Sequence, residues 1–306
     1  MVAKREIPAR AAVEGTTRVV GILGNPVEHS LSPRMHNAAY AALGLDFVYV
    51  PFRATPSTIR QAVRAMRTLG IVGFNVTVPY KQDILRLVDR RTPAAAAIGA
   101  VNTIWRDGDE VVGDNTDATG FVEALRSHGS RIRGARVLVI GAGGSARAVL
   151  HALREGGAAD IVLANRTPAT ARQLAREFGA PAAGAKRSPA KSPLVRPSGL
   201  AALADHELLA TRTLVVNCTP VGLKGGDFLD YAAAATPKAC VHFDLAYTRG
   251  LTPFLTLAHR KGRPTIDGRH MLVHQGAAAF RLFTGKKAPV AVMLVAVGVQ
   301  PGRGKP

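Results

Sequence analysis

The chain has 306 residues, with 40 Lys+Arg against 21 Asp+Glu for a formal charge of +19, and it is 47% hydrophobic and 20% charged. That length and balance fit two modest globular domains and exclude a disordered chain. The most apolar stretch near the tail, 288–299, is shorter than the roughly 20 residues a membrane-spanning helix needs, and 1–17 carries no apolar leader core, so neither membrane nor secretion is expected.

Short β-branched runs alternate with helix-period stretches, a pattern that predicts an α/β fold with mainly parallel strands. In chain order, strands are expected at 18–23, 47–52, 71–78, 101–105, 136–140, 160–164, 213–217 and 241–245. Helices are expected at 33–43, 58–69, 118–128, 145–155, 168–178, 253–261 and 269–283. The charge is uneven. Residues 118–200 carry +9 and 268–306 carry six basic and no acidic side chains. Within it, Lys186, Arg187, Lys191 and Arg196 alternate with Ser, Pro and Gly, so 181–199 reads as a flexible loop. No aromatic side chains interleave there, and no nucleic-acid partner is expected.

Cys218 and Cys240 show neither a disulfide framework nor zinc spacing, which points to a reducing, cytoplasmic setting. Nine His residues include no HExxH, and no metal is expected.

One strand announces a nucleotide site. Arg136–Ile140 runs into Gly141-Ala142-Gly143-Gly144-Ser145-Ala146 and then a helix, the G-x-G-x-x-G/A arrangement. There the first glycine makes the tight turn, the second lets backbone amides approach a pyrophosphate, and small Ala146 permits close helix packing. The next strand ends in Asn165-Arg166-Thr167 with no acidic residue to bind a ribose hydroxyl pair. A guanidinium there suits a 2′-phosphate, so NADP is favoured over NAD. Asn165 and Thr167 also suit the cap of the helix opened by Pro168.

Earlier in the chain, polar sets follow the carboxyl ends of the expected strands, where open α/β sheets bind ligands. They are His29-Ser30-Leu31-Ser32-Pro33 with His36-Asn37, then Asn75-Val76-Thr77 with Pro79 and Lys81, then Asn102-Thr103, then Asn115-Thr116-Asp117. Ser32 before Pro33 reads as a helix N-cap, and Asp117 as the cap of 118–128, although both also suit ligand chemistry.

Together these segments resemble the shikimate dehydrogenase family. GxxxxxxxHSLSPxxHN, NVTxPxK, GAxNT, GxNTDxxG, GAGGxxxA, NRT and NxTPxG occur in the family's order, and Gln275-Gly276 follows. The resemblance spans Gly21 to Gly285. It implies a substrate-binding α/β domain (18–116 with 268–306) and a Rossmann-type NADP-binding domain with a parallel sheet (117–267), after an N-terminal extension (1–17). The implied reaction is reversible NADPH-dependent reduction of 3-dehydroshikimate to shikimate, a step toward chorismate and the aromatic amino acids.

Carried over by position, the resemblance makes Lys81 and Asp117 the catalytic pair and gives Ser30 and Ser32 the substrate carboxylate. Thr77, Asn102, Asp117 and Gln275 then bind ring hydroxyls, and Tyr247 lies near substrate and nicotinamide. The cofactor set is Gly141–Ala146, Asn165, Arg166, Thr167 and Thr219. Three positions depart from the family: Arg249 replaces a usual Pro, Ala169 or Thr170 stands where a second basic residue follows NRT, and Phe283 replaces a Trp. The alternatives are a quinate/shikimate dehydrogenase using NAD or NADP and, in another class, a non-catalytic NADP-binding regulator. A monomer or homodimer is expected.

Overall fold

The first apolar run becomes β1 (Arg18–Gly24), followed by α1 (Ser32–Ala42), β2 (Phe47–Arg53), α2 (Ile59–Thr68) and β3 (Gly73–Val76). Then come β4 (Arg90–Arg91), α3 (Pro93–Ile98), β5 (Thr103–Asp107), β6 (Glu110–Asp114) and α4 (Asp117–Ser127). Next are β7 (Arg136–Ile140), α5 (Gly144–Glu155), β8 (Asp160–Ala164), α6 (Pro168–Gly179), β9 (Val195–Ser198) and α7 (His206–Ala210). The chain continues through β10 (Leu214–Asn217), β11 (Val241–Asp244), α8 (Pro253–Arg260), β12 (Thr265–Ile266), α9 (Gly268–Thr284) and α10 (Val290–Ala296). This computed structural model describes residues 13–179, 194–223 and 225–300. The expectations for 1–12 and 181–193 lie outside the described residues.

Two units result. One runs to Gly120 and resumes at Leu272, and the other is Phe121–Met271. In the first, six strands take the order β2-β1-β3-β5-β6-β4. β1 is parallel to β2 and β3, whereas β5 runs antiparallel to both β3 and β6. The strands of the chain are thus mainly parallel, as expected, with β5 the one antiparallel member of this sheet: β5 and β6 are joined through a turn too short for a crossover helix.

Alternation along β1 divides the first unit's core between the faces of this sheet. Val20 and Ile22 pack with Met35, Tyr40, Tyr49 and Phe280 of α1, β2 and α9. Leu23 packs with Ile59, Val63, Phe74 and Ile104, so α2 covers the other face. Helix α9 approaches α1 closely because position 276 is glycine: a Cβ there would sit 2.2 Å from Met35 Cε. That approach brings the preceding residue, Gln275, down onto the strand ends.

The second unit's sheet is parallel throughout, in the order β12-β11-β10-β7-β8-β9. Numbered from β7, that is the doubly wound order 3-2-1-4-5-6, whose direction reverses between β7 and β10. Its edge strand β9 corrects the end of the expected 181–199 loop, at 195–198. Val195 is buried and pairs with Ile161, while Arg196 grips Asp160 through two bonds of 3.1 and 2.9 Å. Pro197 is tolerated because the strand lies at the edge. Asp160 also accepts Arg212 Nη1 at 2.6 Å, and Arg212 is only 2% exposed. Burial would raise the Asp160 carboxyl, yet the two arginines hold it below its ordinary value.

Two helix starts also differ from expectation. Leu31, not Ser32, is the N-cap of α1, and Ser30 Oγ takes the Ser32 N–H at 3.2 Å. Asp117 lies inside α4, with its own N–H donated to Asn115 Oδ1 at 3.1 Å. Its carboxylate is thereby left for other partners.

Candidate active site

Lys81 follows β3 by five residues and Asp117 opens α4, and their side chains meet: Nζ lies 2.6 Å from Asp117 Oδ2. The side chains are 13% and 6% exposed, so solvent screens the pair poorly. Asn102, just before β5, donates Nδ2 to Asp117 Oδ1 at 2.8 Å and to Gln275 Oε1 at 3.3 Å. Its own Oδ1 accepts the Thr116 N–H at 2.7 Å. Gln275 is held from below by its Nε2 donating to Leu272 O at 2.8 Å. Lys81, Asn102, Asp117 and Gln275 thus form one hydrogen-bonded cluster drawn from four chain segments.

A buried polar chain continues from it. Thr103 Oγ1 donates to Asn102 Oδ1 at 3.0 Å, and Asn75 Nδ2 donates to Thr103 Oγ1 at 3.0 Å. Tyr49 donates its hydroxyl to Asn75 Oδ1 at 2.8 Å, and that hydroxyl also meets Ser32. Burial raises the Tyr49 phenol well above its ordinary value, so it stays protonated and remains a donor. The His36 ring stacks on Tyr49 at 4.4 Å with the planes 6° apart. Neither ring nitrogen of His36 has a hydrogen-bond partner, and burial pushes its pKa down to about 3, so the imidazole is neutral. Half-buried Ser30 reaches this chain through its bond to the Ser32 N–H. Thr77, also half-buried, instead rests its methyl group against Gly24.

The second unit carries the glycine turn at the carboxyl end of β7. Gly141 adopts φ +99°, which a side chain would resist, and a Cβ there would also sit 2.7 Å from the Thr219 methyl. Thr219 follows β10, so the two residues flank the point where strand order reverses. A Cβ on Gly143 would meet nothing within 4 Å, and Gly143 caps α5 with no side-chain bond to the first turn. The first-turn amides have no cap side chain to accept from them, the arrangement that receives an anion. Asn165 Nδ2 donates to Thr167 O at 3.0 Å, and Arg166 is exposed between them. Tyr247, half-buried, lies three residues beyond β11.

Comparison with known proteins agrees with this geometry. Residues 22–104 match the shikimate dehydrogenase substrate binding domain, 123–188 match the shikimate / quinate 5-dehydrogenase domain, and 268–297 match the shikimate 5′-dehydrogenase C-terminal domain. A shikimate dehydrogenase (NADP(+)) of Geobacter metallireducens is 43% identical over 282 residues, covering 92% of this chain and 96% of the relative. The chain belongs to the shikimate dehydrogenase family. Among solved structures, a shikimate dehydrogenase in complex with NADP+ superposes with a TM-score of 0.85 at 35% identity, over 95% of this chain and 98% of that one. The Thermus thermophilus enzyme in complex with NADP(H) and shikimate gives 0.80 at 36% identity, over 92% and 99%. The fold is accordingly that of a shikimate dehydrogenase: a substrate-binding α/β domain and a Rossmann-type NADP-binding domain.

Several polar residues at the strand ends of both units carry no role that residue order alone assigns. Asn75, Thr103, Thr116 and Asn217 lie inside the family motifs, and position within a motif is their one signal. Tyr49 gives none, because it sits in an apolar strand as an ordinary core aromatic.

Proposed function

We propose that Lys81 and Asp117 are the catalytic pair of this chain's reaction, the reversible NADPH-dependent reduction of 3-dehydroshikimate to shikimate. The observation that carries the assignment is the 2.6 Å Lys81–Asp117 contact, buried and braced on the other carboxylate oxygen by Asn102. Reduction of a ketone leaves negative charge on its oxygen, and that charge must be met by a proton. The Lys81 ammonium carries three N–H donors, and Asp117 uses one. Lys81 is thereby aimed by its partner, donating a proton to the oxygen in reduction and recovering it in oxidation.

Ser30 and Ser32 are assigned to the substrate carboxylate, and Thr77, Asn102, Asp117 and Gln275 to its ring hydroxyls, with Tyr247 nearby. Support for Ser32 comes from Tyr49, whose hydroxyl lies beside the serine and bonds Asn75 in the polar chain leading to Asn102.

NADPH, when bound, supplies the hydride that reduces the carbonyl carbon. Gly141, Ala142, Gly143, Gly144, Ser145 and Ala146 fit its pyrophosphate, since the turn leaves an open face with unclaimed helix amides. Arg166, with Asn165 and Thr167, fits the 2′-phosphate, and Thr219 closes the turn from the neighbouring strand. We also assign the chain to the cytoplasm, as a monomer or homodimer that binds no nucleic acid. Free Cys218 and Cys240 support the reducing compartment. No helix among the described residues is long and apolar enough to cross a membrane.

The test compares shikimate with quinate, each with NADP and NAD. Shikimate with NADP is expected to give the highest kcat/KM, and a higher value for quinate with NAD would overturn the assignment.

A further inference from the structure

Adjacent strands β10 and β11 end in Asn217 and Asp244, which face each other in the sheet register. Both side chains are buried, Asp244 at 1% exposure. Asp244 Oδ1 accepts Asn217 Nδ2 at 2.9 Å and the Ala246 N–H at 3.0 Å. Its Oδ2 accepts the Thr252 hydroxyl at 2.5 Å. Asn217 passes the constraint on, because its Oδ1 accepts both the N–H of Thr219 at 3.0 Å and its hydroxyl at 2.7 Å. Thr219 in turn rests its methyl group against Gly141.

A buried carboxylate is a costly way to fill space. Desolvation pushes Asp244 up to about 6, with the Asp267 charge adding to it, even though three donors oppose the shift. An apolar residue of similar size would pack there without that cost. What an apolar residue lacks is acceptors on two sides, and here the two sides lead to different loops.

We propose that Asp244 is a positioning residue for dinucleotide binding. Through Asn217 it holds the Thr219 turn against Gly141 at the strand-order switch. Through the Ala246 N–H and Thr252 it fixes the start and end of the segment bearing Tyr247. One carboxylate therefore ties together the two loops that follow β10 and β11, the first of which packs against the cofactor turn. This rests on the reading that NADP binds at Gly141–Ala146.

Calorimetric titration of the full chain with NADP alone, alongside kcat, shikimate KM and melting temperature, separates the outcomes. Asn217→Ala cuts the link from Asp244 to Thr219 and is expected to weaken NADP binding about fivefold, the size of one hydrogen bond's net contribution, with shikimate KM within about twofold of wild type. Asp244→Ala is expected to weaken NADP binding at least as much and to lower kcat as well. Asp244→Asn keeps an acceptor for Asn217 and Ala246, and should recover NADP affinity to within about threefold. If Asp244→Ala does not fold, Asn217→Ala and Asp244→Asn still decide. A folded Asn217→Ala or Asp244→Ala variant that binds NADP as wild type does would overturn the proposal, as would equal weakening of NADP and shikimate. A wild-type chain that failed to bind NADP would overturn the reading of the glycine turn instead, and this inference with it.

Discussion

Each unit buries a polar cluster at the ends of its strands, and the two are finished differently. In the second unit, both carboxylate oxygens of Asp244 and the amide of Asn217 are satisfied by the chain itself. In the first, the cluster ends in Lys81, whose ammonium spends one donor on Asp117 and keeps two. A saturated cluster can hold loops but cannot transfer a proton to a ligand. In the proposed function, the spare donors on Lys81 are what let the first cluster act on a ligand. The contrast separates residues that position from residues that react.

Breaking the reactive end should have the largest effect. Lys81→Ala is expected to lower kcat by about 10²–10⁴-fold, the range of general acid–base contributions, with a change of only a few-fold in shikimate KM. Steady-state oxidation of shikimate with NADP measures it. Asn102→Ala removes the donor shared by Asp117 and Gln275. A loss of about 10²-fold in kcat/KM is expected, comparable to deleting one aligned donor at a reacting centre.

Tyr49→Phe deletes only the hydroxyl between Asn75 and Ser32. One hydrogen bond's worth, about 1 kcal/mol, should appear as a rise of about fivefold in shikimate KM with kcat nearly unchanged. Equal losses in kcat and kcat/KM would place Tyr49 in the reacting cluster instead.

The smallest effects concern stability, and here the two units should respond to pH with opposite signs. His36 has its pKa depressed by burial from 6.5 to about 3, so its contribution is present above pH 6.5 and is lost as pH falls toward 3. By pH 5 the loss is about 2 kcal/mol. His36→Phe, which also removes two unpartnered nitrogens, should therefore gain melting temperature over wild type at pH 5 more than at pH 8. Asp244 has its pKa raised by burial from 3.8 to about 6. Its contribution is present below pH 3.8 and lost as pH rises through 6, so Asp244→Asn should compare better with wild type at pH 8 than at pH 4.

Much of this was readable from residue order. β7 and β8 match their expected bounds because each is a continuous apolar run bounded by turn residues. β4 and β6 were missed: one is two arginines, and the other is a short strand interrupted by Gly113. β9 hid in a basic, Pro-containing segment, and its pairing is set by Asp160, 36 residues before Arg196. For the site, family motifs gave Lys81, Asn102, Asp117 and Gln275, and the fold brings those four together. Tyr49 and Asp244 were not legible as partners. Their importance lies in bonds to residues distant in the chain, which no local pattern encodes.

A double-mutant cycle on Lys81→Ala and Asp117→Ala, read in kcat for shikimate oxidation, tests the central claim most directly. Groups that act as one unit are strongly non-additive, so the double variant should lose little more than the worse single variant. Losses that multiply across the two positions would contradict a catalytic pair.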